Sequence, residues 1–191
     1  KESCTCKNLK FLLLLVGLAI TLSGCFDFVE EIKLSTDGTG EVKYKLNLSK
    51  SKTKIGGIML LDSIRGFAVP SENEIHGKLL ELKNLLRNQN GISNVNIAEN
   101  WSEYIFQLSM DFDKVSDLNA ALRTALSKEE TAKKYIYDAY SYRGSEFIRN
   151  YKMQEFNELS KWKADVTNVL NGANLILIHR FENPIISKSN A

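Results

Sequence analysis

Cysteine and histidine are the residue types with the widest chemical use in this chain, which has three of the first and two of the second. A thiolate can act as a nucleophile or metal ligand, and an imidazole can exchange protons near neutral pH. Cys4 and Cys6 stand near the N-terminus, and Cys25 follows an apolar run. His76 falls in a predicted helix and His179 in a predicted strand, without the spacing of a metal-binding pair. We expect both histidines to be structural or exposed.

The carboxylates also occur in ordinary settings. Asp111 and Asp113 follow a predicted strand and precede a helix, where capping explains them better than acid–base catalysis. The pair Glu129-Glu130 stands in a predicted loop and should be solvated. The sequence has no GxSxG, Walker, GxGxxG or EF-hand motif. We therefore predict that the protein is not an enzyme and holds no metal.

The first 24 residues have the pattern of a cleaved signal peptide. Lys7 and Lys10 give a positive start, and residues 11–22 form an uninterrupted apolar run that ends at two small residues. A membrane-spanning helix needs roughly 20 apolar residues, so this run is too short to remain in the bilayer. We predict that residues 1–24 are removed and that residues 25–191 form a single domain.

The tetrad Leu22-Ser23-Gly24-Cys25 resembles the lipobox of bacterial lipoproteins at all four positions. The resemblance implies cleavage between Gly24 and Cys25, a thioether from Cys25 to diacylglycerol, and attachment to a membrane through acyl chains. Two or three chains hold a protein stably, whereas one gives marginal binding. The alternatives are an ordinary secretory signal and a buried apolar helix. We expect no cofactor other than this covalent lipid.

The charge balance changes when the signal peptide is removed. Residues 1–24 hold three lysines and one glutamate, so the 25 basic and 23 acidic residues of the whole chain become 22 of each. Phosphate binding requires clustered basic residues, so a balanced surface argues against a nucleic-acid partner. Lys50, Lys52 and Lys54 form a short basic run that we expect to be solvated.

Acidic residues follow the lipidated cysteine closely. Asp27, Glu30 and Glu31 look like the acidic export signals of lipoproteins in bacteria with two membranes. That resemblance implies an outer-membrane protein exposed at the cell surface. Alternation within the first strand explains Glu31 equally well.

Hydrophobic periodicity predicts an α+β domain, an antiparallel sheet of hairpins with helices packed on one face. Hairpins are expected at 26–48, 92–112 and 135–151, the first turning at Asp37-Gly38-Thr39-Gly40 and the last at Arg143-Gly144. Helices are expected at 53–65, at 71–90 with a capping box from Ser71 and Glu74, after Asp113 or Ser116, and at 154–170. Residues 174–181, apolar on both faces, predict an interior strand, and we expect that the sequence lacks a C-terminal strand that would protect a sheet edge.

Tyrosines are concentrated in the third predicted hairpin and offer a possible binding surface. They are Tyr135, Tyr137, Tyr140, Tyr142 and Tyr151. Exposed tyrosines could stack on a sugar or fill a protein interface. The alternative is cross-strand packing that stabilises the hairpin itself.

The start of the predicted domain, residues 28–32 and the turn at 37–41, resembles uncharacterised envelope lipoproteins, a resemblance that implies no activity. Our leading hypothesis is a non-catalytic envelope module that binds or scaffolds another envelope protein. A carrier that holds a lipid or glycan between sheet and helices is the alternative. An enzyme of unfamiliar design is the third possibility.

Overall fold

A computed structural model describes residues 26–64, 67–127, 138–150 and 173–189. The predicted signal peptide, Cys25, the predicted helix 154–170 and three of the five tyrosines (Tyr135, Tyr137 and Tyr151) lie outside the described residues. The described residues form an α+β fold in which most strands are antiparallel. None of the described helices is long and apolar enough to cross a bilayer.

The first predicted hairpin is confirmed. Strands β1 (Asp27–Leu34) and β2 (Gly40–Asn47) pair antiparallel, because period-two alternation gives each strand one apolar face. The connecting turn includes Gly38 at a φ of +89°, a conformation that glycine adopts without a steric penalty.

The second predicted hairpin is also confirmed. Strands β5 (Ile92–Asn100) and β6 (Ile105–Phe112) pair antiparallel, with a bulge between Ser93 and Asn96. Strand β6 also pairs with β2. With β9 (Asn174–Phe181), a five-stranded sheet results, in the order β5-β6-β2-β1-β9.

Strand β9 (Asn174–Phe181) corrects two expectations. It pairs parallel to β1, so the sheet is mixed rather than antiparallel. It was also expected in the interior of the sheet, but among the described residues it pairs with β1 alone and forms an edge. A strand apolar on both faces is therefore partly exposed here, with Leu175 and Ile176 accessible to solvent.

The strand register defines two ends of the sheet. We call the end where Asp27, Asn47, Ile105 and Asn174 are neighbours the proximal end. The opposite end, which includes the β1–β2 turn, is the distal end. Eight-residue strands separate the two ends by roughly 25 Å.

Two helices cover one face of the sheet. Helix α2 (Glu72–Arg87) begins with the predicted capping box: Glu74 N donates to Ser71 Oγ, and Ser71 N donates to Glu74 Oε2. Helix α3 (Val115–Ser127) begins at Val115, so Ser116 lies inside it and does not cap it. The covered face and these helices share a core formed by Ile32, Leu34, Val42, Leu86, Ile92, Val95, Met110, Phe112, Val115, Leu118, Ala121 and Tyr140.

The helix expected at 53–65 is shorter than predicted. A single 3₁₀ turn (Ser49–Ser51) leads into α1 (Lys52–Met59), and the two-residue strands β3 (Ser63–Ile64) and β4 (Phe67–Ala68) follow. Consecutive glycines at 56 and 57 weaken the helix. The described α1 has no buried residue, so packing does not extend it either.

The third hairpin is separate from the main sheet. Strands β7 (Tyr140–Arg143) and β8 (Glu146–Arg149) form their own two-stranded sheet, and Gly144 has a φ of +62° at the predicted turn. This hairpin packs on the covered face, where Tyr140 and Phe147 contact the core.

Candidate functional site

The covered face contains one buried carboxylate, Glu30, among the described acidic residues. Alternation along β1 places Glu30 between Phe28 and Ile32 on the apolar face, where it is 2% exposed. Its neighbours across the sheet are Tyr44 on β2 and Leu177 on β9. A carboxylate in this position requires a partner, because burying an unpaired charge is very costly.

The partner is Arg149 at the end of β8. Its Nε and Nη2 donate to the two oxygens of Glu30 at 2.8 and 3.0 Å, an arrangement with two parallel hydrogen bonds. Its Nη1 donates to the carbonyl oxygens of Ala139 and Asn150 at 3.2 and 2.9 Å. The guanidinium thus connects the β7–β8 hairpin to the main sheet.

Tyr140 completes the connection. The Arg149 guanidinium carbon lies 4.7 Å from the Tyr140 ring centroid, within cation–π distance. The hydroxyls of Tyr140 and Tyr44 are 3.0 Å apart. Buried Asn119 on α3 donates to the Tyr140 carbonyl at 2.7 Å and accepts from the Tyr140 amide at 3.1 Å. Burial raises the pKa of both tyrosines, and the nearby Glu30 carboxylate raises it further.

His179 on β9 borders this cluster. Its ring makes edge contacts with Phe147 at 5.2 Å and Phe181 at 6.5 Å between centroids. Its Nε2 is buried without a hydrogen-bond partner among the described residues. Burial lowers the pKa of His179; Glu30 acts against that shift and Arg149 adds to it. The imidazole is therefore held in its neutral form.

The arrangement of these groups suits a structural role better than proton transfer. Phenols with raised pKa values stay protonated at neutral pH, so neither tyrosine is prepared to act as a base. The Glu30 oxygens accept from the guanidinium rather than facing a cleft. Among the described residues, no group of three or more His, Cys, Asp or Glu could hold a metal ion.

The proposed tyrosine surface is corrected at Tyr140. An exposed position was one of the two alternatives for Tyr140, but it is a core residue stacked on Phe147 at 5.9 Å between centroids. Tyr142 is half-buried; its hydroxyl donates to the Thr36 carbonyl at 3.2 Å, and its ring lies 3.6 Å from the point where a Cβ on Gly38 would stand. Tyr140 thus follows the cross-strand packing alternative, Tyr142 contacts the β1–β2 turn, and the other three tyrosines lie outside the described residues.

The remaining sequence candidates lie apart from this cluster. His76 is exposed, and its Nδ1 is 2.9 Å from Glu99 Oε1, a carboxylate partner that is 23 residues away in the sequence. Asp111 accepts from Asn94 Nδ2 at 2.7 Å. It lines, with Asp113, an open, polar depression at the distal end of the sheet.

The acidic residues after Cys25 all have partners within the fold. Asp27 accepts from Asn174 and lies 3.0 Å from Lys50 Nζ, and Glu31 accepts from Arg180 Nε at 2.6 Å. Their contacts explain their positions without an export role. Surface export stays a prediction that these contacts do not test.

Sequence reasoning missed the Glu30–Arg149 pair. Alternation already placed Glu30 on the apolar face of β1. A charged side chain on an apolar face was the signal in the sequence for a buried ion pair. A buried carboxylate on a strand indicates a cation elsewhere in the chain, but the sequence does not say which arginine supplies it.

Comparisons with protein-family models, curated proteins and solved structures find no match to this chain.

Proposed function

We propose that this chain is a lipid-anchored envelope lipoprotein whose domain is a non-catalytic module that binds or scaffolds another envelope protein. The complete tetrad Leu22-Ser23-Gly24-Cys25, with its resemblance to the lipobox, carries the proposal of a lipid anchor. Strand β1 begins at Asp27, two residues after the cysteine. An acylated Cys25 would hold the proximal end of the sheet close to the membrane. No long tether would separate the fold from the acyl chains.

The non-catalytic part of the proposal is supported by the buried cluster. Glu30, Arg149 and Tyr140 have the burial and chemistry of catalytic groups, but Glu30 and Arg149 bond to each other, Arg149 also bonds to backbone carbonyls, and the Tyr140 hydroxyl bonds to that of Tyr44. Such a network stabilises one arrangement of hairpin and sheet.

The surface that best fits a protein partner is the outer edge of β9. Among the described residues β9 pairs with β1 alone. Edge strands present unpaired backbone groups, and extended segments of partner proteins add to them as further strands. Leu175 and Ile176 on this edge are exposed apolar residues on opposite faces. An added strand would cover both side chains and continue the mixed sheet.

The anchor is tested by mass spectrometry of the exported full chain and by fractionation of cells that carry Cys25→Ala. We expect diacylglycerol on Cys25 and loss of the variant from the membrane fraction. An unmodified Cys25, or a variant that remains membrane-bound, would refute the anchor.

The partner edge is tested by photo-crosslinking in cells with the acylated full chain. A photoreactive amino acid replaces Ile176 in one variant and Ile148 on β8 in the control, two isoleucines that are 41% and 44% exposed. We expect one defined protein to crosslink from position 176 and not from 148, and Ile176→Lys to abolish its co-purification. Equal crosslinking from both positions would refute docking at β9, whatever the state of Cys25.

A further inference from the structure

The 3₁₀ turn and α1, which follow β2 at the proximal end of the sheet, bear exposed lysines and are followed by two exposed leucines. We call Lys50, Lys52, Lys54, Leu60 and Leu61 the proximal surface. Leu60 is 86% exposed and Leu61 51% exposed, although both follow directly after α1. All three lysines are exposed. Exposed large apolar residues beside basic residues are typical of segments that lie on a membrane.

Contacts with neighbouring strands fix the position of this surface. Lys50 Nζ is 3.0 Å from Asp27 Oδ2 at the start of β1, and Lys52 Nζ is 2.7 Å from Glu103 Oε1 in the β5–β6 turn. The proximal surface therefore borders the strand that begins two residues after Cys25. If the cysteine is acylated, Lys50 and Lys52 lie at the membrane side of the domain, and Lys54, Leu60 and Leu61 belong to the short α1 segment that continues from them.

We propose that the proximal surface rests on the anionic phospholipid bilayer to which Cys25 is anchored, with Leu60 and Leu61 inserted among the lipids and the lysines at the headgroups. The inference rests on the lipid anchor of the proposed function. The proximal surface would give the protein a second contact with the membrane besides the acyl chains. This contact would orient the domain with its strands along the membrane normal and the distal end farthest from the bilayer.

Charge and proximity favour a bilayer over a protein partner at this surface. Asp27 and Glu103 neutralise part of the charge of Lys50 and Lys52, whereas no carboxylate contacts Lys54 among the described residues. Attraction to anionic lipids falls off within a Debye length, about 8 Å at physiological salt, so basic residues act only where they are held close to the membrane. The acyl chains would supply that closeness, because tethering makes a weak second contact effectively intramolecular.

The chain offers a matched control at its distal side. Ile185 and Ile186 follow the end of β9, and they are 61% and 100% exposed. Glu182, which precedes them, accepts a hydrogen bond from the Thr36 amide in the β1–β2 turn. A general tendency of exposed apolar residues to bind lipid would act at both places, whereas the proposed contact acts only at the proximal surface.

The test uses the acylated product that remains after signal cleavage, residues 25–191, bound to vesicles of phosphatidylethanolamine and phosphatidylglycerol. Cysteine is introduced as Leu60→Cys or as Ile186→Cys and labelled with a nitroxide, because an acylated Cys25 has no free thiol. We expect lipid-soluble oxygen to relax the label at position 60 several-fold more strongly than the label at 186, and a water-soluble nickel chelate to do the reverse. In vesicles of phosphatidylcholine alone, the difference should shrink.

Three outcomes separate this inference from the anchor. Acylated Cys25 with a lipid-exposed label at position 60 supports both proposals. Acylated Cys25 with equally water-exposed labels at 60 and 186, or an unchanged difference in phosphatidylcholine, overturns the proximal contact and leaves the anchor intact. Absence of acylation in the mass spectrum overturns the anchor and this inference with it.

Discussion

Arg149 closes a bidentate ion pair with Glu30 across 119 residues of sequence, and the pair joins the β7–β8 hairpin to the main sheet. The glutamate side chain is almost fully buried, and the arginine is largely buried. Loss of either partner would leave the other charge without compensation in a low-dielectric site.

We therefore expect Arg149→Met to lower the free energy of unfolding by about 3 kcal/mol, measured by urea denaturation. The matched control is Arg180→Met, because Arg180 also binds a strand glutamate, Glu31, but at an exposed position. Removal of an exposed pair should cost less than about 1 kcal/mol. The double variant Glu30→Met/Arg149→Met should regain much of the loss. An equal loss of free energy of unfolding in Arg149→Met and Arg180→Met would show that burial does not increase the contribution of the Glu30 pair to stability.

His179 should make stability depend on pH. Burial against Phe147 and Phe181 lowers its pKa below 6.5 in the folded state, with Glu30 and Arg149 as the charged groups that act on it. As the pH falls below 6.5, the unfolded chain binds a proton that the folded chain does not, so stability decreases towards the lowered pKa and is greatest above 6.5.

The measurement is urea denaturation between about pH 5 and 7 in a His76→Gln background, where His179 is the remaining imidazole. Replacing His179 with Phe should reduce the dependence of the free energy of unfolding on pH in this range. If the free energy of unfolding changes equally with pH in the presence and absence of His179, the surroundings of His179 do not hold its imidazole neutral.

The first two hairpins and α2 could be predicted because their signals are local. Strict alternation, a glycine-containing turn and a Ser71–Glu74 box each specify structure within a few residues. The bounds of β9 were predicted correctly, but its place in the sheet was not, because apolarity on both faces reports side-chain surroundings and not the number of neighbouring strands. Its parallel pairing with β1 depends on a contact 147 residues away, as between Asp27 and Asn174.

The buried cluster could be predicted only in part. The position of Glu30 follows from alternation, whereas its pairing with Arg149 depends on how the third hairpin packs. The same packing buried Tyr140, whose sequence neighbourhood is equally typical of an exposed ladder. Side-chain burial in a two-stranded hairpin is decided by the surface on which the hairpin lies.

The capping box of α2 gives a third prediction. Ser71→Ala removes the acceptor for the Glu74 amide, and the expected loss is about 1 kcal/mol in urea denaturation. Ser116→Ala is the control, because Ser116 is exposed and lies within the first turn of α3. It should change stability by less than about 0.5 kcal/mol. A larger loss at Ser116 would mean that α3 depends on that hydroxyl after all.

The close approach of the chain at Gly40 gives the last prediction. A Cβ at this position would press against the Lys33 carbonyl oxygen and lie 2.5 Å from Cζ of the buried Phe112. Lys33 contributes backbone in the paired strand, which cannot move away without distorting the β1–β2 ladder. Gly40→Ala should therefore destabilise the protein by about 2 kcal/mol or more.

Gly57 is the matched comparison, because a Cβ there would meet no atom within 4 Å and the residue lies inside α1. Gly57→Ala should stabilise the helix by about 0.5–1 kcal/mol, since alanine loses less backbone entropy on folding. Thermal and urea denaturation of the two variants should thus shift in opposite directions from the same chemical change. A Gly40→Ala protein as stable as the parent would mean that the strands around Gly40 can separate, and that the observed register is not required there.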